Sequence, residues 1–390
     1  MSQHGKSSKF LGYERPDGSI GIRNHVAVIP TVNCANEVAR KIENQTEGTV
    51  AILHECGCEV TSQLEIPTRT LVGIGRNPNV AAVLLVSLGC ETIDCETLVE
   101  EIGKSKKPVE LIRIQDLGGT IKTVEKGVRI VQEMVQNSSQ EERKLCDVDS
   151  LIVATKCGGS DLTSGLAANP AVGVTSDRIV ERGGTVFIAE TPELMGAEHI
   201  LAKRAVNKQV AKRIFEIIDY WEQRAKDEGE RFHLITSGNI QGGLTTIEEK
   251  SLGAVYKAGS SPVQGVIEYA ETPSEKGLFI MNTTGDDINS DTGMLGGGAQ
   301  ILLFTTGRGT PVGSPIAPVL KITGNPRTFE KMKDNMDINA GTIIDGKETI
   351  EAVGQRIFDE ILEVASGKQT KSEVLGHKEF AIFRERGHAY

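Results

Sequence analysis

Short apolar runs alternate with amphipathic segments along the chain. The apolar runs are rich in β-branched residues and end in Gly, Asn or Cys, which is typical of strands, and the segments that follow have helical spacing. Strands are predicted at residues 25–30, 49–53, 80–88, 109–114, 150–154, 185–189, 277–282, 300–305 and 317–322, and helices at 35–42, 119–136, 197–228 and 349–366. This alternation predicts an α/β fold with mainly parallel sheets flanked by helices.

A polar and charged segment, NSSQEER at residues 137–143, interrupts the alternation. Such a segment is typical of an exposed loop or linker. The sequence therefore predicts two domains, an N-terminal α/β domain over residues 1–140 and a C-terminal α/β catalytic domain over residues 150–390. A chain of 390 residues is long enough for both.

Charge and hydropathy limit the partners of the chain. The net charge is −10 and the isoelectric point is about 5.4, which disfavours binding to nucleic acid or to an anionic membrane. The first nine residues are polar, and the longest apolar stretches, such as residues 80–88, have the length of a strand. We therefore expect a cytoplasmic protein that binds neither nucleic acid nor membrane.

Thiols follow several of the predicted strands. Cys34, Cys90 and Cys157 each come shortly after a strand end, where ligands bind in open α/β sheets. The segment HECGCE at residues 54–59 adds His54 and Cys58, and imidazole together with thiol suits iron or zinc. These residues are the candidate metal ligands. The alternative is that the cysteines are small buried residues and that HECGCE is an ordinary turn.

Candidate acids and bases stand in two further strand-end segments. In TKCGGSD, at residues 155–161, Lys156 could hold a carboxylate and Asp161 could act as a base, or Asp161 could cap a tight turn. Glu190 and His199 follow the next strand and could serve as acid and base, or could favour the start of a helix. These four residues are the candidate catalytic groups.

Two glycine-rich segments could bind an anionic substrate. GNIQGGLTT, at residues 238–246, offers Asn239, Thr245 and Thr246 together with backbone N–H groups ahead of a helix. GRGTPVG, at residues 307–313, presents Arg308, whose guanidinium matches a carboxylate or a sulfonate. The alternatives are a surface loop before a capped helix and an ordinary surface arginine.

Together these stretches resemble the altronate and galactarate dehydratase family, which includes the large subunit of sulfolactate sulfo-lyase. The matching stretches, between residue 12 and about residue 383, include GYERPDGSIGIRNHVAVIPTVNCAN, VAAVLLVSLGCE, KCGGSDLTSGLAANPAVG, GGLTTIEEKSLG, GGGAQILLFTTGRGTPVG and DINAG. The resemblance implies a lyase that eliminates a β-substituent from a small hydroxylated acid. It also implies dependence on a divalent metal, iron(II) first, with manganese or magnesium as alternatives.

The resemblance further implies a partner and a choice of substrates. Family members often carry a small domain before the motif that begins here at Gly12, so we expect a separate small SAF-like partner subunit and an oligomeric enzyme. The favoured function is that of a large catalytic subunit that dehydrates altronate or galactarate to a 2-keto-3-deoxy acid. Ile240 stands where the sugar-acid enzymes usually have lysine, which favours the alternative, a (2R)-sulfolactate sulfo-lyase large subunit that releases sulfite and pyruvate. A non-catalytic homologue would have lost the polar strand-end groups, and they are present.

Overall fold

A computed structural model describes residues 8–229 and 235–385 of the chain. The strands in these ranges are β1 (Lys9–Glu14), β2 (Ile20–Gly21), β3 (His25–Pro30), β4 (Thr49–Ala51), β5 (Val80–Ser87), β6 (Val109–Arg113), β7 (Lys144–Asp147), β8 (Ile152–Cys157), β9 (Thr185–Ile188), β10 (Val263–Ile267), β11 (Leu278–Met281), β12 (Ile301–Thr306), β13 (Val319–Thr323) and β14 (Ile338–Asn339). The α-helices are α1 (Asn36–Glu43), α2 (Glu65–Arg76), α3 (Cys95–Gly103), α4 (Ile114–Leu117), α5 (Thr120–Ser138), α6 (Asn169–Glu181), α7 (Glu198–Ala202), α8 (Lys208–Asp227), α9 (Ser237–Gln241), α10 (Ile247–Ala254), α11 (Asp287–Gly296), α12 (Pro326–Lys331), α13 (Ile350–Ala365) and α14 (Lys371–Val374).

The first half of the chain forms a four-stranded parallel sheet in the order β4-β3-β5-β6. β3 and β5 are buried along almost their whole length because their apolar side chains point to both covered faces. Helices α1 and α5 pack on one face through Val38, Ile42 and Val131. Helices α2 and α3 pack on the other face through Leu71 and Leu98.

The second half forms a seven-stranded parallel sheet in the order β10-β11-β9-β8-β12-β13-β14. Helices α6 and α13 pack against each other over one face, with Val172, Ile357 and Ile361 in the same core as Val153 and Leu303 of the sheet. The opposite face is turned toward the first sheet and is covered by α11, which packs on α2. The predicted α/β fold with parallel sheets and flanking helices is confirmed.

The two parallel sheets have their carboxyl ends on the same side of the molecule. Just before β5, the Asn77 side-chain amide donates to the Ala299 carbonyl at 2.9 Å and the Asn79 amide donates to the Gln300 carbonyl at 2.8 Å, just before β12. These bonds join the amino ends of the two sheets. Helices α2 and α11 meet at Gly73 and Gly296, where a Cβ added to Gly73 would lie 2.1 Å from the Gly296 carbonyl oxygen. Polar strand-end segments from both sheets therefore share one edge.

A third, antiparallel sheet in the order β2-β1-β7 was not predicted. The predicted boundary segment, residues 137–143, runs from the end of α5 into β7, and β7 pairs back to β1 near the start of the chain. β7 is short, charged and largely exposed, so it lacks the apolar pattern from which the other strands were predicted.

The helical structure predicted at residues 197–228 is present, but it is divided into two helices, α7 and α8. Ala205 pairs with Val263 at the edge of β10, which pulls the chain out of the helix. Asn207, with extended backbone, then caps α8 by accepting the Val210 N–H at 2.9 Å. Among the described residues no helix combines the length and the apolar character needed to cross a membrane.

Candidate active site

A buried group of ionised side chains lies beyond the carboxyl ends of the central strands of the seven-stranded sheet. Lys156 is on β8 and Glu190 follows the adjacent β9, and both are fully buried. The Lys156 Nζ lies 2.6 Å from Glu190 Oε1 and 3.0 Å from Oδ1 of Asp287 at the start of α11. Parallel pairing of β8 and β9 thus brings together two groups that are 34 residues apart in the sequence.

A second lysine reaches the same carboxylate from the other side. The Lys257 Nζ lies 2.5 Å from Glu190 Oε2 and 2.9 Å from the Cys157 sulfur. The Cys157 backbone N–H also donates to Glu190 Oε2 at 2.9 Å. Glu190 itself has a positive φ of 65°, a strained conformation for a residue with a side chain. Its backbone N–H donates to the Thr283 hydroxyl at 2.8 Å, which helps to hold that conformation.

Glu193 and Lys250 complete this group, which we call the lysine–glutamate cluster: Lys156, Cys157, Glu190, Glu193, Lys250 and Lys257. Lys250, on α10, is ion-paired with Glu193 Oε1, and the Cys157 thiol donates to Glu193 Oε2 at 3.4 Å. The segment from Glu190 to Leu194 forms a tight turn in which the Glu193 N–H donates to the Glu190 carbonyl at 2.7 Å. This turn places Glu190 against Lys156 and Lys257 and Glu193 against Lys250.

The charges in the cluster set its pKa values. Burial alone would lower the pKa of Lys156 and raise that of Glu190, but their mutual attraction outweighs burial. The pKa of Lys156 therefore lies well above its ordinary value, and the lysines lower the pKa of Glu190 to about 2. Burial and the nearby Glu190 charge raise the pKa of Glu193, against the pull of Lys250. Burial also raises the pKa of the Cys157 thiol to about 12.

Asp291 lies close enough to the cluster for the Lys156 charge to act on it. It is one turn after Asp287 on α11, and neither of its buried oxygens has a hydrogen-bond partner among the described residues. Burial raises the pKa of Asp291 well above its ordinary value, although Lys156 opposes this rise.

A pocket of about 210 Å³ opens onto the cluster at Cys157 and Lys250. It is lined by Asp161 and Ser164 after β8 and by Leu244 from the glycine-rich segment. Three of the polar segments identified in the sequence, TKCGGSD, GGLTT and EEK, therefore meet at one cavity. A pocket that ends on convergent charged groups is a typical substrate site.

Asp161 and His199 do not belong to the lysine–glutamate cluster. The Asp161 carboxylate accepts from the Thr163 and Ser164 backbone N–H groups at 2.9 and 3.1 Å and from the Asn325 amide at 2.9 Å. It caps the turn after β8, as in the alternative interpretation of this segment. His199 is exposed on α7. The structure therefore joins two of the four candidate catalytic residues, Lys156 and Glu190, in one cluster.

The candidate substrate-binding residues lie on the two glycine-rich segments, one of which lines the pocket through Leu244. Asn239 is buried on α9, and Thr246 caps α10 by accepting the Glu249 N–H at 3.2 Å, while Thr245 donates to the Glu249 carboxylate at 2.6 Å. Arg308 is exposed and donates to the Gly238 carbonyl at 2.9 Å. The threonines thus serve as helix caps in this arrangement, while Arg308 ties two glycine-rich loops together.

His54 is unsuited to hold a metal in this structure. Its Nε2 lies 2.6 Å from the Pro30 carbonyl oxygen, and its Nδ1 accepts the Cys56 N–H at 3.1 Å. Both ring nitrogens are therefore engaged with backbone, and burial lowers the His54 pKa to about 4. Cys157 belongs to the lysine–glutamate cluster, whereas Cys34, Cys58 and Cys90 are exposed beyond the carboxyl ends of the four-stranded sheet.

Among the described residues, one group of three potential ligands has all its ligand atoms within 4.8 Å of one another: Cys157, Glu190 and Glu193. The surroundings do not suit a cation there. Lys156 and Lys257 occupy the oxygens of Glu190, and Lys250 occupies one oxygen of Glu193. A divalent ion would have to displace ammonium groups and would then face their charges at short range.

Some residues in and beside the cluster were not predicted. Asp287, which contacts Lys156, stands in TTGDD just after β11, so the strand-end rule that identified Lys156 and Glu190 could have identified it as well. Lys250 and Lys257 lie on α10 and the helical turn that follows, away from any strand end, and a lysine in such a segment is usually exposed. Nothing in the local sequence indicates their burial.

Two family models match the chain. "D-galactarate dehydratase/Altronate hydrolase, second domain" matches residues 12–139, and "D-galactarate/Altronate dehydratase, C-terminal" matches residues 148–387. The fold and the buried acid–base cluster are those expected of an α/β enzyme. The chain belongs to the D-galactarate/altronate dehydratase family.

The names of similar proteins indicate a family of lyases. The chain is 38% identical to (2R)-sulfolactate sulfo-lyase subunit beta of Chromohalobacter salexigens, over 97% of this chain and 98% of the relative. It is 33% identical to altronate dehydratase of Bacillus subtilis, over 96% of this chain and 77% of the relative. It is 36% identical to galactarate dehydratase (L-threo-forming) of Escherichia coli, over 96% and 76% respectively. Dehydratases and sulfo-lyases are both lyases, so the prediction of a lyase is confirmed at the level of the family.

Proposed function

We propose that this chain is the catalytic subunit of a lyase that eliminates a β-substituent from a small hydroxylated acid. The observation that carries the proposal is the lysine–glutamate cluster at the end of a pocket. In the two-domain division proposed from the sequence, the cluster falls in the domain of residues 150–390. The first candidate reaction is dehydration of altronate or galactarate to a 2-keto-3-deoxy acid.

The elimination needs a base, an acid and a site for the substrate carboxylate. Glu190 is too weak a base because its pKa is about 2, and we assign it to positioning Lys156 and Lys257. Glu193 has a raised pKa, so we propose that it takes the proton from the carbon that bears the retained hydroxyl. Lys250 lines the pocket and remains charged, which suits it to bind the carboxylate.

The C–H electron pair forms the new C=C bond, and the β-hydroxyl leaves as water with the proton that Glu193 has taken up. The resulting enol tautomerises to the 2-keto acid. If the leaving group is a sulfonate, the same steps release sulfite and give pyruvate from sulfolactate, with less need for an acid.

We further propose that the enzyme depends on a divalent metal, with iron(II) preferred over manganese or magnesium. When bound, such a metal supplies charge stabilisation for the enediolate that develops as the α-proton leaves. Because Cys157, Glu190 and Glu193 are surrounded by lysines, we place the metal at Cys34, Cys58 and Cys90, whose thiols are soft ligands.

The second candidate reaction is elimination of sulfite from (2R)-sulfolactate. The observation in its favour is that the chain aligns over 98% of the sulfo-lyase subunit but over 77% of the altronate dehydratase. A screen of altronate, galactarate and (2R)-sulfolactate, with keto acid and sulfite measured separately, decides between the candidates. If none of these acids, nor any related hydroxy acid, gives a keto acid with metal and partner present, the proposed function is wrong.

We expect a small partner polypeptide to be needed for full turnover, because the similar sulfo-lyase protein is named as a beta subunit. A small subunit over the strand-end cleft would exclude water during the elimination. The chain purified alone should bind metal but turn over slowly, and the added partner should restore the rate without a change in metal content. Full activity of the chain in a preparation free of any partner would contradict this expectation.

Replacing Arg308 with lysine should lower kcat/KM about tenfold, equivalent to about 1.4 kcal/mol. Lysine keeps the charge but loses the planar fork that matches a carboxylate and that holds the Gly238 carbonyl. Arg129→Lys on the exposed face of α5 is the matched control and should behave like the wild type. Equal kinetics for both variants with the true substrate would remove Arg308 from the site.

A further inference from the structure

Three exposed thiols meet at the carboxyl edge of the four-stranded sheet. Cys58 follows β4, Cys34 follows β3 and Cys90 follows β5, and these three parallel strands are neighbours in the order β4-β3-β5. The lysine–glutamate cluster uses none of them. The chemistry assigned to the cluster therefore does not involve these three thiols.

Backbone contacts fix the loops that carry these thiols. The Asn33 N–H donates to the Cys56 carbonyl at 3.0 Å, and the Gly57 carbonyl accepts the Thr92 N–H at 3.0 Å. Gly57 has a φ of 122°, and a Cβ there would lie 2.5 Å from the Thr31 carbonyl oxygen. Only glycine allows this close approach, so Cys58 is held between the loop that carries Cys34 and the loop that carries Cys90.

The loops that carry Cys34, Cys58 and Cys90 thus follow three neighbouring strands at one edge of the sheet. The other thiols of this region are engaged elsewhere. Cys56 is buried in the core, and the Cys95 thiol donates to Glu91 at 3.3 Å.

The spacing of the three sulfurs argues against a single ion. A tetrahedral ion with metal–sulfur bonds of about 2.3 Å holds its sulfurs about 3.8 Å apart. Within the described ranges, the one trio of potential ligands whose atoms all lie within 4.8 Å of one another is Cys157, Glu190 and Glu193, so at least two of the three exposed sulfurs are farther apart than this limit. A larger centre that contains several metal ions fits such a spacing.

We propose that Cys34, Cys58 and Cys90 hold an iron–sulfur cluster of the four-iron type. Cysteine thiolates are the usual protein ligands of such clusters, and three thiolates leave one iron open to another ligand. This inference rests on the proposed function: the iron that was placed at these thiols would be held as a cluster, with its open iron facing the site of elimination.

The position of the thiols suits that role. A cleft of about 570 Å³ lies between the two sheets and is lined by Asn36 and Glu55 on one side and by Asp286 and Asn289 on the other. Asn36 is two residues after Cys34, and Asp287, next to Asp286, contacts Lys156 of the lysine–glutamate cluster. This cleft therefore lies between the loop that carries Cys34 and the start of α11, whose Asp287 contacts the lysine–glutamate cluster.

The test is anaerobic reconstitution of the full chain with ferrous iron and sulfide, followed by removal of the excess. We expect about four iron ions and four acid-labile sulfides per chain, with broad visible absorbance and a Mössbauer spectrum typical of a four-iron cluster. One iron per chain without labile sulfide, or no retained iron, would overturn the proposal.

Serine variants locate the centre. Cys34→Ser, Cys58→Ser and Cys90→Ser should each lose most of the labile sulfide and the visible absorbance, while circular dichroism shows an unchanged fold. Cys146→Ser, at a half-buried thiol on β7, is the matched control and should retain both signals. Cys157→Ser should retain them too, and loss of iron in that variant alone would place the metal at the other site.

The outcomes separate this inference from the proposed function. A chain with one iron and no sulfide that still converts a hydroxy acid, with its partner present, would disprove the cluster and leave the lyase assignment intact. A chain with the full cluster but no lyase activity on any hydroxy acid, again with the partner present, would disprove the lyase assignment and leave the cluster intact.

Discussion

Replacing Glu193 with glutamine is expected to lower kcat/KM by about 10²–10⁴-fold, the usual contribution of a general base. Glutamine has almost the same shape and can still meet Lys250 and Cys157, but it cannot take up a proton. The measurement is kcat/KM with the substrate found in the screen. Glu216→Gln, on the exposed surface of α8, is the matched control and should leave the kinetics unchanged.

The pH profile gives a second measurement of the same role. Burial and the Glu190 charge raise the pKa of Glu193, so a growing fraction of this base is protonated as the pH falls. In the wild type, kcat/KM should therefore decrease on the acid side as the pH falls through the raised pKa of Glu193. The Glu193→Gln variant should lack this acid limb. A variant with wild-type activity, or one that keeps the limb, would show that another group is the base.

The strand-end rule explains how far the site could be predicted from sequence. Lys156 and Glu190 were identified because each stands at the end of an apolar run, and parallel neighbours bring such ends together. The rule predicts the sheet edge at which such side chains lie, but it does not predict which of them are in contact. It therefore placed Cys157 with the other thiols, whereas its neighbours are Glu190 and Lys257.

Groups on helices required the tertiary structure. Lys257 can be fully buried because the Glu190 carboxylate neutralises its charge and the Cys157 sulfur accepts a further hydrogen bond. The local pattern VYKAG contains no sign of those partners. In the same way, the imidazole of His54 is a common type of metal ligand. In the folded loop, however, both of its ring nitrogens form hydrogen bonds with backbone groups, which the local sequence does not indicate.

The fold itself was more predictable, because apolar periodicity depends on burial and not on individual partners. β3 has the predicted bounds, and the other predicted strands differ from the structure by one to three residues at their ends. β1 and β7 were missed because they form a small and largely exposed sheet, where charged residues interrupt the apolar pattern.

Replacing Glu190 with glutamine is expected to lower the free energy of unfolding by about 3–5 kcal/mol at pH 7, the cost of removing one partner from a buried ion pair. The change leaves Lys156 and Lys257 buried without their common carboxylate. It also relieves Glu193 of a nearby negative charge, so the loss should lie toward the lower end of this range. Urea unfolding of the wild type and the variant at pH 7 measures this loss in the free energy of unfolding. Glu65→Gln, in an exposed pair with Arg69 on α2, should cost about 0.5 kcal/mol or less.

The pH dependence of this loss has a definite sign. The pKa of Glu190 falls from an ordinary 4.5 to about 2 in the folded protein, so its carboxylate stabilises the fold fully at pH values above about 4.5. That stabilisation, about 3 kcal/mol at 1.36 kcal/mol per pKa unit, is lost as the pH falls from 4.5 toward 2. The difference between wild type and variant should therefore be constant from pH 7 to pH 5 and should shrink between pH 4.5 and pH 3. A difference that stays constant down to pH 3, or that grows as the pH falls, would mean that Glu190 is not the charged partner of the two lysines.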